Sequence, residues 1–310
     1  MKTILVFEQT SSEKQNELIE KYPDFHFIFG DDPAWKNALN QASAIIGFPP
    51  EEIRDQLKEL PMLELIQLPF AGYEGWPELV DCPLANASGI YGLAISECII
   101  GALLSVFRHF EQLRAQQKQK VWNRQIGNVD SISGKTILIL GCGDVGGTFA
   151  RKAKALGART IGAARSVRPI EGFDEVIPLD DIESVIGQAD IVVGALPSNS
   201  GTHHRLNLEH FKAMKSDSVF VNVGRGDLVA LSDLEQAMKE NQIGHMILDV
   251  CEIEPLPQES PFWDDERVMI TPHISGDFSL PRTGVLLWEL IEKNLDALRD
   301  GRPLLNIVNR

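Results

Sequence analysis

The chain opens with short apolar runs separated by stretches in which apolar residues return every three or four positions. Thr3–Phe7, His26–Phe29, Ala44–Gly47 and Leu65–Leu68 read as strands, and Ser12–Lys21, Pro33–Gln41 and Pro50–Leu57 as the helices between them. Pro33 and Pro50 suit a first helical turn, where a missing N–H costs no bond. The alternation predicts a parallel sheet with helices on its faces. From Leu93 to about Lys118 the spacing instead predicts one long helix. Its stripe of Ile95, Ile99, Ala102, Leu103, Val106, Phe107, Phe110 and Leu113 suits a core helix. It suits equally a helix that links two domains and packs on a partner subunit.

A second series begins at Thr136. Ile137–Gly141, Arg159–Ala163, Asp190–Leu196, Ser218–Val223, His245–Val250 and Val268–Thr271 read as strands, several of them continuous apolar runs of the kind covered on both faces. Six such strands with helical segments between them make a full doubly wound domain. After Pro281 an amphipathic helix carries Leu286, Leu287, Leu290, Ile291, Leu295 and Leu298 and runs to about Arg299. No low-complexity linker separates the two series, so helices are expected to join the lobes.

A length of 310 residues is comfortable for two domains. The net charge of −15 gives a surface that repels phosphate backbones, so no nucleic-acid partner is expected. An acidic protein that takes an anionic ligand must gather its cations locally, which directs attention to Arg residues beside special motifs. The first apolar run, Ile4–Phe7, is too short for a signal-peptide core or a membrane span, and no later stretch approaches one. Cys82, Cys98, Cys142 and Cys251 are scattered without a CxxC pair, which predicts reduced thiols in the cytoplasm and neither a disulfide scaffold nor a zinc site. His203-His204 has no acidic or cysteine partners at ligand spacing. It reads as a solvent-facing loop near a cofactor, and no metal is expected.

The sharpest local motif is Gly141-Cys142-Gly143-Asp144-Val145-Gly146, directly after an apolar strand and opening a helical stretch. In that context Gly141 permits the tight turn, Gly143 lets the backbone approach a pyrophosphate, and Gly146 lets helix and strand pack closely. Asp144 and Val145 begin the helix, whose unpaired N–H groups and positive dipole end face the phosphates. The second strand ends in Ala164-Arg165-Ser166-Val167-Arg168, without the carboxylate that an NAD site offers the ribose hydroxyls. Arg165, Ser166 and Arg168 suit a 2′-phosphate instead, so NADP is favoured and NAD remains possible. Cys142 reads as a small buried filler.

Three later segments each follow a different predicted strand of the same sheet: Asn222-Val223-Gly224-Arg225-Gly226, Asp249-Val250-Cys251-Glu252-Ile253-Glu254-Pro255 and Thr271-Pro272-His273-Ile274-Ser275-Gly276. Ligands in open α/β sheets bind outside the carboxyl ends of strands. A lone histidine is more often structural, but an Arg, an acid and a His on one edge of a dinucleotide-binding sheet reverse that reading. A hydride reaching a ketone carbon leaves negative charge growing on oxygen, which a positioned acid and a fixed guanidinium stabilise. A planar, two-pronged Arg suits a carboxylate better than Lys, and a near-neutral His works in either direction.

With these motifs in order, together with Leu68–Trp76 and Asn86–Glu97, nearly the whole chain resembles the D-isomer-specific 2-hydroxyacid dehydrogenase family, especially its NADP-linked glyoxylate/hydroxypyruvate reductase branch. The resemblance implies an α/β fold of two doubly wound parallel-sheet (Rossmann-like) domains with a discontinuous substrate domain: residues 1–97 plus 281–310 for substrate, 98–280 for the dinucleotide, and the active site in the cleft. It implies that Arg225 binds the substrate carboxylate and the oxygen being reduced. His273 exchanges the proton, and Glu254 orients His273 and favours its charged form. The N–H groups of Ala71, Gly72 and Tyr73 hold the carboxylate, and Asp249 contacts the nicotinamide carboxamide. Further cofactor contacts are implied for Leu196, Pro197, Thr202, Val223, His273 and Gly276.

The chain departs from the family's pattern at Tyr91, where His is frequent, and at Cys251, where an aromatic is common; both bear on the substrate pocket. The expected reaction is reduction of a small 2-oxo acid of the glyoxylate/hydroxypyruvate kind to the D-2-hydroxy acid. The alternatives are a dehydrogenase for phosphoglycerate, a branched 2-oxo acid or a formate-like anion, and a non-enzymatic dinucleotide-sensing corepressor. Phosphoglycerate ranks lower because Leu68–Trp76 offers Glu74 and no Lys or Arg. A homodimer is expected. Trp122, just past the apolar stripe, either reaches a partner's substrate site or packs as a surface indole on its own chain.

Overall fold

A computed structural model describes residues 1–308. The chain divides into two compact units, Met1–Ile90 with Gly284–Arg310, and Tyr91–Thr283. The last two residues of the expected tail, Asn309 and Arg310, lie outside the described residues.

The first unit holds a parallel sheet of β1 (Lys2–Val6), β2 (Phe25–Phe29), β3 (Ala42–Ile46), β4 (Leu65–Gln67) and β5 (Leu84–Ala85), in the order β2-β1-β3-β4-β5. Leu5, Ile45, Ile66 and Leu84 bring four strands into one core. Leu287, Ile291 and Leu295 of the helix Pro281–Asp300 are buried on that helix's apolar face. Buried Asn294 on the same helix donates to Gln67 Oε1 at 2.6 Å and accepts the Leu305 N–H at 2.7 Å, which fixes the tail. Val308 N–H then reaches Leu84 O at 2.9 Å, and Ala85 bridges Ile307 antiparallel. β5 is two residues long and leans on this distant tail, so no local pattern announces it.

The second unit holds β6 (Thr136–Leu140), β7 (Arg159–Ala164), β8 (Glu175–Pro178), β9 (Ile191–Gly194), β10 (Val219–Asn222), β11 (His245–Leu248) and β12 (Val268–Ile270). All pair in parallel, in the order β12-β11-β10-β9-β6-β7-β8. Strand order reverses between β6 and β9, the place where doubly wound sheets open a crevice. The six expected strands are joined by a seventh, β8. It is an edge strand with a single buried residue and a terminal Pro178, too polar to stand out as a run.

Two expectations change. The lobe joint expected at Glu97 falls between Ile90 and Tyr91, and the one at Pro281 between Thr283 and Gly284. The helix Gly92–Phe107 packs along the helix Asp144–Ala155, and the Asp144 carboxylate accepts the Tyr91 and Gly92 N–H groups at 3.1 and 2.7 Å. The whole helix therefore belongs to the second unit. The single helix expected to Lys118 breaks at Arg108 and His109. His109 is left-handed (φ 51°), and Gly92–Phe107 and Phe110–Lys118 meet at a 66° bend. Asn128 O holds His109 Nε2 at 2.8 Å and Phe107 O accepts Asp130 N–H at 2.9 Å, so the following segment fastens the corner. Among the described residues no single helix is long and apolar enough to cross a membrane.

Candidate active site

The glycine turn sits at the carboxyl end of β6. Gly141 is at φ +103°, and a Cβ there would lie 2.5 Å from Ala195 O, across the gap to the segment after β9. A Cβ on Gly146 would lie 1.9 Å from Gly141 O, so only glycine lets this helix close on its strand. Gly143 differs: it is exposed, and a Cβ there would meet no protein atom within 4 Å. The bare backbone of Gly143 faces outward at a helix N-terminus, the arrangement that fits a pyrophosphate. The Asp144 side chain is spent on Tyr91 and Gly92, which leaves its main-chain N–H, with that of Val145, for a phosphate.

Cys142 Sγ packs where a Gly162 Cβ would stand, 2.5 Å away, and burial pushes its thiol up to about 11. Arg165, Ser166 and Arg168 follow β7, all exposed. Among the described residues no carboxylate pairs with either Arg. After β9, Leu196 is buried and Pro197 exposed. The buried Thr202 hydroxyl donates to Pro197 O at 2.6 Å and accepts Asn199 N–H at 2.9 Å, so it shapes this loop from inside. A Cβ on Gly224 would lie 2.6 Å from Leu196 O, which brings the loop after β9 against the turn after β10.

That turn carries Arg225, and buried Val223 lies beneath it. Asn222, fully buried at the end of β10, donates to Arg225 O at 3.0 Å and accepts Gly224 N–H at 3.3 Å. Gly226 lets the next segment approach: a Cβ there would lie 1.9 Å from Cys251 O. The Arg225 turn and the acid segment thus touch backbone to backbone.

In the acid segment Glu254 accepts Cys251 N–H at 3.1 Å through Oε1 and meets His273 Nδ1 at 2.8 Å through Oε2. Nδ1 is therefore committed and Nε2 is the nitrogen left to face a ligand. His273 has φ 53°, a costly conformation for a side-chain-bearing residue that persists only when its surroundings hold it. Asp249 does the holding. It is 5% exposed, and its carboxylate takes the Thr271 hydroxyl at 2.6 Å, the Ile274 and Ser275 N–H groups at 3.1 Å each, and the Ser275 hydroxyl. Its main-chain O accepts His273 N–H at 2.8 Å. Asp249, for which a carboxamide contact is expected, is bonded on both oxygens to the His273 segment. Gly276 lies against Ile95 and Tyr91, 3.0 and 3.4 Å from a Cβ placed on it. A cavity of about 380 Å³ opens here, lined by Asp249, Cys251, Glu254, Trp263, Thr271 and His273. A larger one of about 730 Å³ lies at the amino ends of β11 and β12 beside His109 and His245, and contains none of these residues.

Several supporting residues escaped sequence reasoning. Asn222, Thr271 and Ser275 act through hydrogen bonds that only the turn geometry creates. His204 is exposed, as the solvent-facing reading expects, and also meets Glu252 Oε1 at 2.6 Å, while Glu252 Oε2 accepts the Leu231 N–H at 2.8 Å. These bonds hold Glu252 below the usual carboxylate range, the Leu231 N–H first and His204 after it. His204 N–H also donates to Asp227 O at 2.7 Å, so this strut joins the acid segment to the residues after Arg225. The signal was the adjacent His pair, but its partner lay 48 residues away. Among the described residues no cluster of three His, Cys, Asp or Glu side chains is placed to hold a metal.

In the first unit, Ala71, Gly72 and Tyr73 form a half-buried turn after β4. Buried Asn86 pins it by donating to Ala71 O at 2.6 Å. Among the described residues the N–H groups of Ala71, Gly72 and Tyr73 have no hydrogen-bond partner, as an anion-binding turn requires.

Residues 100–275 match the sequence profile of the D-isomer specific 2-hydroxyacid dehydrogenase NAD binding domain. The chain is 29% identical over 217 residues to glyoxylate/hydroxypyruvate reductase A of Yersinia enterocolitica, covering 70% of this chain and 67% of that one. Its fold matches the crystal structure of a D-isomer specific 2-hydroxyacid dehydrogenase family protein from Aeromonas salmonicida at a TM-score of 0.87 and 31% identity, over 99% and 98% of the two chains. It also matches the NADPH-dependent glyoxylate/hydroxypyruvate reductase of Sinorhizobium meliloti, solved with NADP and sulfate, at a TM-score of 0.82 and 26% identity, over 100% and 98%. The chain belongs to the D-isomer specific 2-hydroxyacid dehydrogenase family and is an oxidoreductase that uses a nicotinamide dinucleotide.

Proposed function

We propose that the protein reduces a small 2-oxo acid of the glyoxylate/hydroxypyruvate kind to the D-2-hydroxy acid, with NADPH preferred. The observation that carries this reading is the Glu254–His273 pair, 2.8 Å apart, with Nε2 left over, on the sheet edge that also presents Arg225 and the glycine turn. When bound, the dinucleotide supplies the hydride. Arg225 takes the carboxylate and the carbonyl oxygen in its planar fork. As charge grows on that oxygen, His273 Nε2 gives it a proton, and Glu254 on Nδ1 keeps the ring in the orientation that allows this. Asp249 keeps the His273 segment in its strained turn. Taken by itself, the first unit's turn of Ala71, Gly72 and Tyr73, with its open N–H groups, also suits a carboxylate. The preference for NADPH rests on exposed Arg165, Ser166 and Arg168, which suit a 2′-phosphate, and on the NADP held by the similar enzyme from Sinorhizobium meliloti.

We also assign the protein to a homodimer in the cytoplasm. Trp122 is 95% exposed, which supports the reading in which it reaches a second copy. Phe110, Val121 and Val129 are about half exposed in the same stretch, an apolar group that a second copy would cover.

The test follows NADPH and NADH oxidation over a panel of 2-oxo acids. Turnover of glyoxylate or hydroxypyruvate with higher kcat/KM for NADPH is expected. Arg165→Ala should weaken NADPH use by about tenfold or more, the worth of a charge-assisted bond, and NADH use far less. Equal losses for both would place Arg165 on a shared part of the dinucleotide, and no turnover of any 2-oxo acid would reject the reading.

A further inference from the structure

The glycine turn carries an acid, Asp144, where a pyrophosphate is expected. Like charges repel, so a carboxylate in the first turn of that helix works against an anion at the same N-terminus unless another group engages it. A second helix engages it. Asp144 Oδ2 accepts the Gly92 N–H at 2.7 Å and the Tyr91 N–H at 3.1 Å. The helix Gly92–Phe107 has no such partner of its own: Tyr91 gives it no side-chain cap, and its first turn holds no acid. A helix start leaves its first N–H groups without intrahelical partners, and Tyr91 and Gly92 are both buried. Asp144 supplies the missing acceptor from 52 residues further along the chain, and its charge suits the positive end of the helix it caps.

The contact is close. A Cβ on Gly92 would lie 2.5 Å from Asp144 Oδ1, 2.6 Å from Thr148 Oγ1 and 2.8 Å from Asp144 O. Further along, Lys152 Nζ donates to Glu97 Oε1 at 3.0 Å and to Leu93 O at 3.4 Å. Asp144, Thr148 and Lys152 recur at every fourth position and share one face of the helix Asp144–Ala155, which therefore runs along the start of the helix Gly92–Phe107. Tyr91 is also held elsewhere in the second unit. Its ring meets Phe278 edge to face at 6.4 Å, and its Cδ1 lies 3.4 Å from a Cβ placed on Gly276. The chain passes from the first unit to the second between Ile90 and Tyr91. The residue that opens the dinucleotide helix is thus the one that caps the helix beginning at that joint.

We propose that Asp144 is a positioning residue that couples dinucleotide binding to the joint: its main-chain N–H receives the pyrophosphate, its carboxylate holds the Tyr91 and Gly92 N–H groups, and each contact strengthens the other. The proposal rests on the dinucleotide reading above and gives the glycine turn a second role. One short side chain separates the two contacts, so a turn fixed by a ligand keeps the carboxylate aimed at Gly92, and a free turn lets that pair open and close. Such coupling is reciprocal. The factor by which the dinucleotide favours the closed joint is the factor by which the closed joint tightens the dinucleotide.

The test combines fluorescence titration with NADPH and NADH and hydrogen exchange at the Tyr91 and Gly92 amides, free and saturated with whichever dinucleotide binds tighter. In the wild type the dinucleotide should slow exchange at these amides by about tenfold, within the usual range of coupling between sites. Asp144→Ala should weaken the dinucleotide by a similar factor. Asp144→Asn keeps an oxygen for the two N–H groups and loses only the charge, so it should retain both the affinity and the dinucleotide-dependent protection. Gly92→Ala presses on Asp144 from the joint and leaves the glycine turn unaltered in sequence. It should also weaken the dinucleotide, and it serves as the second variant if Asp144→Ala does not fold. Wild-type exchange that ignores a bound dinucleotide overturns the coupling. Melting temperatures that fall in the variants at constant dissociation constants overturn it too, since the bonds then serve stability alone. So does affinity that rises in both Asp144 variants, since the carboxylate then only repels the phosphates, and so do equal losses in Asp144→Asn and Asp144→Ala. A wild type that binds neither dinucleotide overturns the dinucleotide reading itself.

Discussion

The carboxyl edges of the two sheets are built on opposite plans. On the seven-stranded sheet the chemical side chains are already bonded to the protein. Glu254 spends one oxygen on Cys251 N–H and the other on His273, and Asp249 spends both on Thr271, Ile274 and Ser275. On the five-stranded sheet groups are left open: among the described residues the N–H groups of Ala71, Gly72 and Tyr73 have no partner, and Phe48 and Phe70 are half exposed. Proton transfer, the role proposed for the first edge, tolerates little misplacement, and that edge fixes its geometry in advance. On the proposed function, holding an acid needs donors that are still available when the ligand arrives, and the second edge has such donors.

The largest test of this contrast removes the proton carrier from the fixed edge. On the proposed mechanism His273→Ala lowers kcat by about 10²- to 10⁴-fold, the usual worth of a general acid. NADPH binding, followed by fluorescence, should persist. Near wild-type turnover would show that the prearranged pair is structural. A smaller loss is expected where the two segments of that edge touch. A Cβ on Gly226 would stand 1.9 Å from Cys251 O and 2.0 Å from Cys251 C, both backbone atoms that no side-chain rotation can move aside. Gly226→Ala should therefore separate Arg225 from the Glu254 segment. Displacements of about 1 Å at such distances cost up to about 100-fold. Steady-state kinetics with a parallel melting curve checks this: a drop in melting temperature with unchanged kcat/KM would mean that the close approach serves stability alone.

The two edges also differ in how far the sequence reveals them. Arg225, Glu254 and His273 each follow an apolar run, and the crevice rule for parallel sheets carries them to one edge without any coordinates. The glycine turn was legible for the same reason, since each glycine answers a local steric demand. Groups that depend on distant partners were not. Asp249 is expected to contact the carboxamide, and nothing in the sequence announces the bonds it makes to the turn at Thr271–Ser275. The long apolar stripe concealed the corner at His109, because spacing reports which face is buried and not where the axis turns. β8 and β5 stayed hidden because an edge strand and a two-residue strand carry too few buried positions to make a pattern.

The smallest expected effect lies in the first unit away from either edge, where charge does hold fixed partners. Glu292, on the helix Pro281–Asp300, has a side chain only 15% exposed and bonds both Lys14 and Lys21. Burial alone would push its carboxyl up, but the two ammonium groups outweigh burial and hold it below the usual carboxylate range. The folded value lies below the unfolded one, so the stabilisation is complete above the ordinary carboxylate value of about 4.3 and is lost as pH falls through the folded value. Glu292→Gln should cost about 1–3 kcal/mol near pH 7, as expected for hydrogen bonds to charged groups, with little change in kcat/KM. Melting curves taken from about pH 7 down to about pH 3 should converge for wild type and variant, because protonation makes the wild-type carboxyl neutral as well. A gap that stays constant over that range would assign the loss to packing around Glu292 and not to its charge.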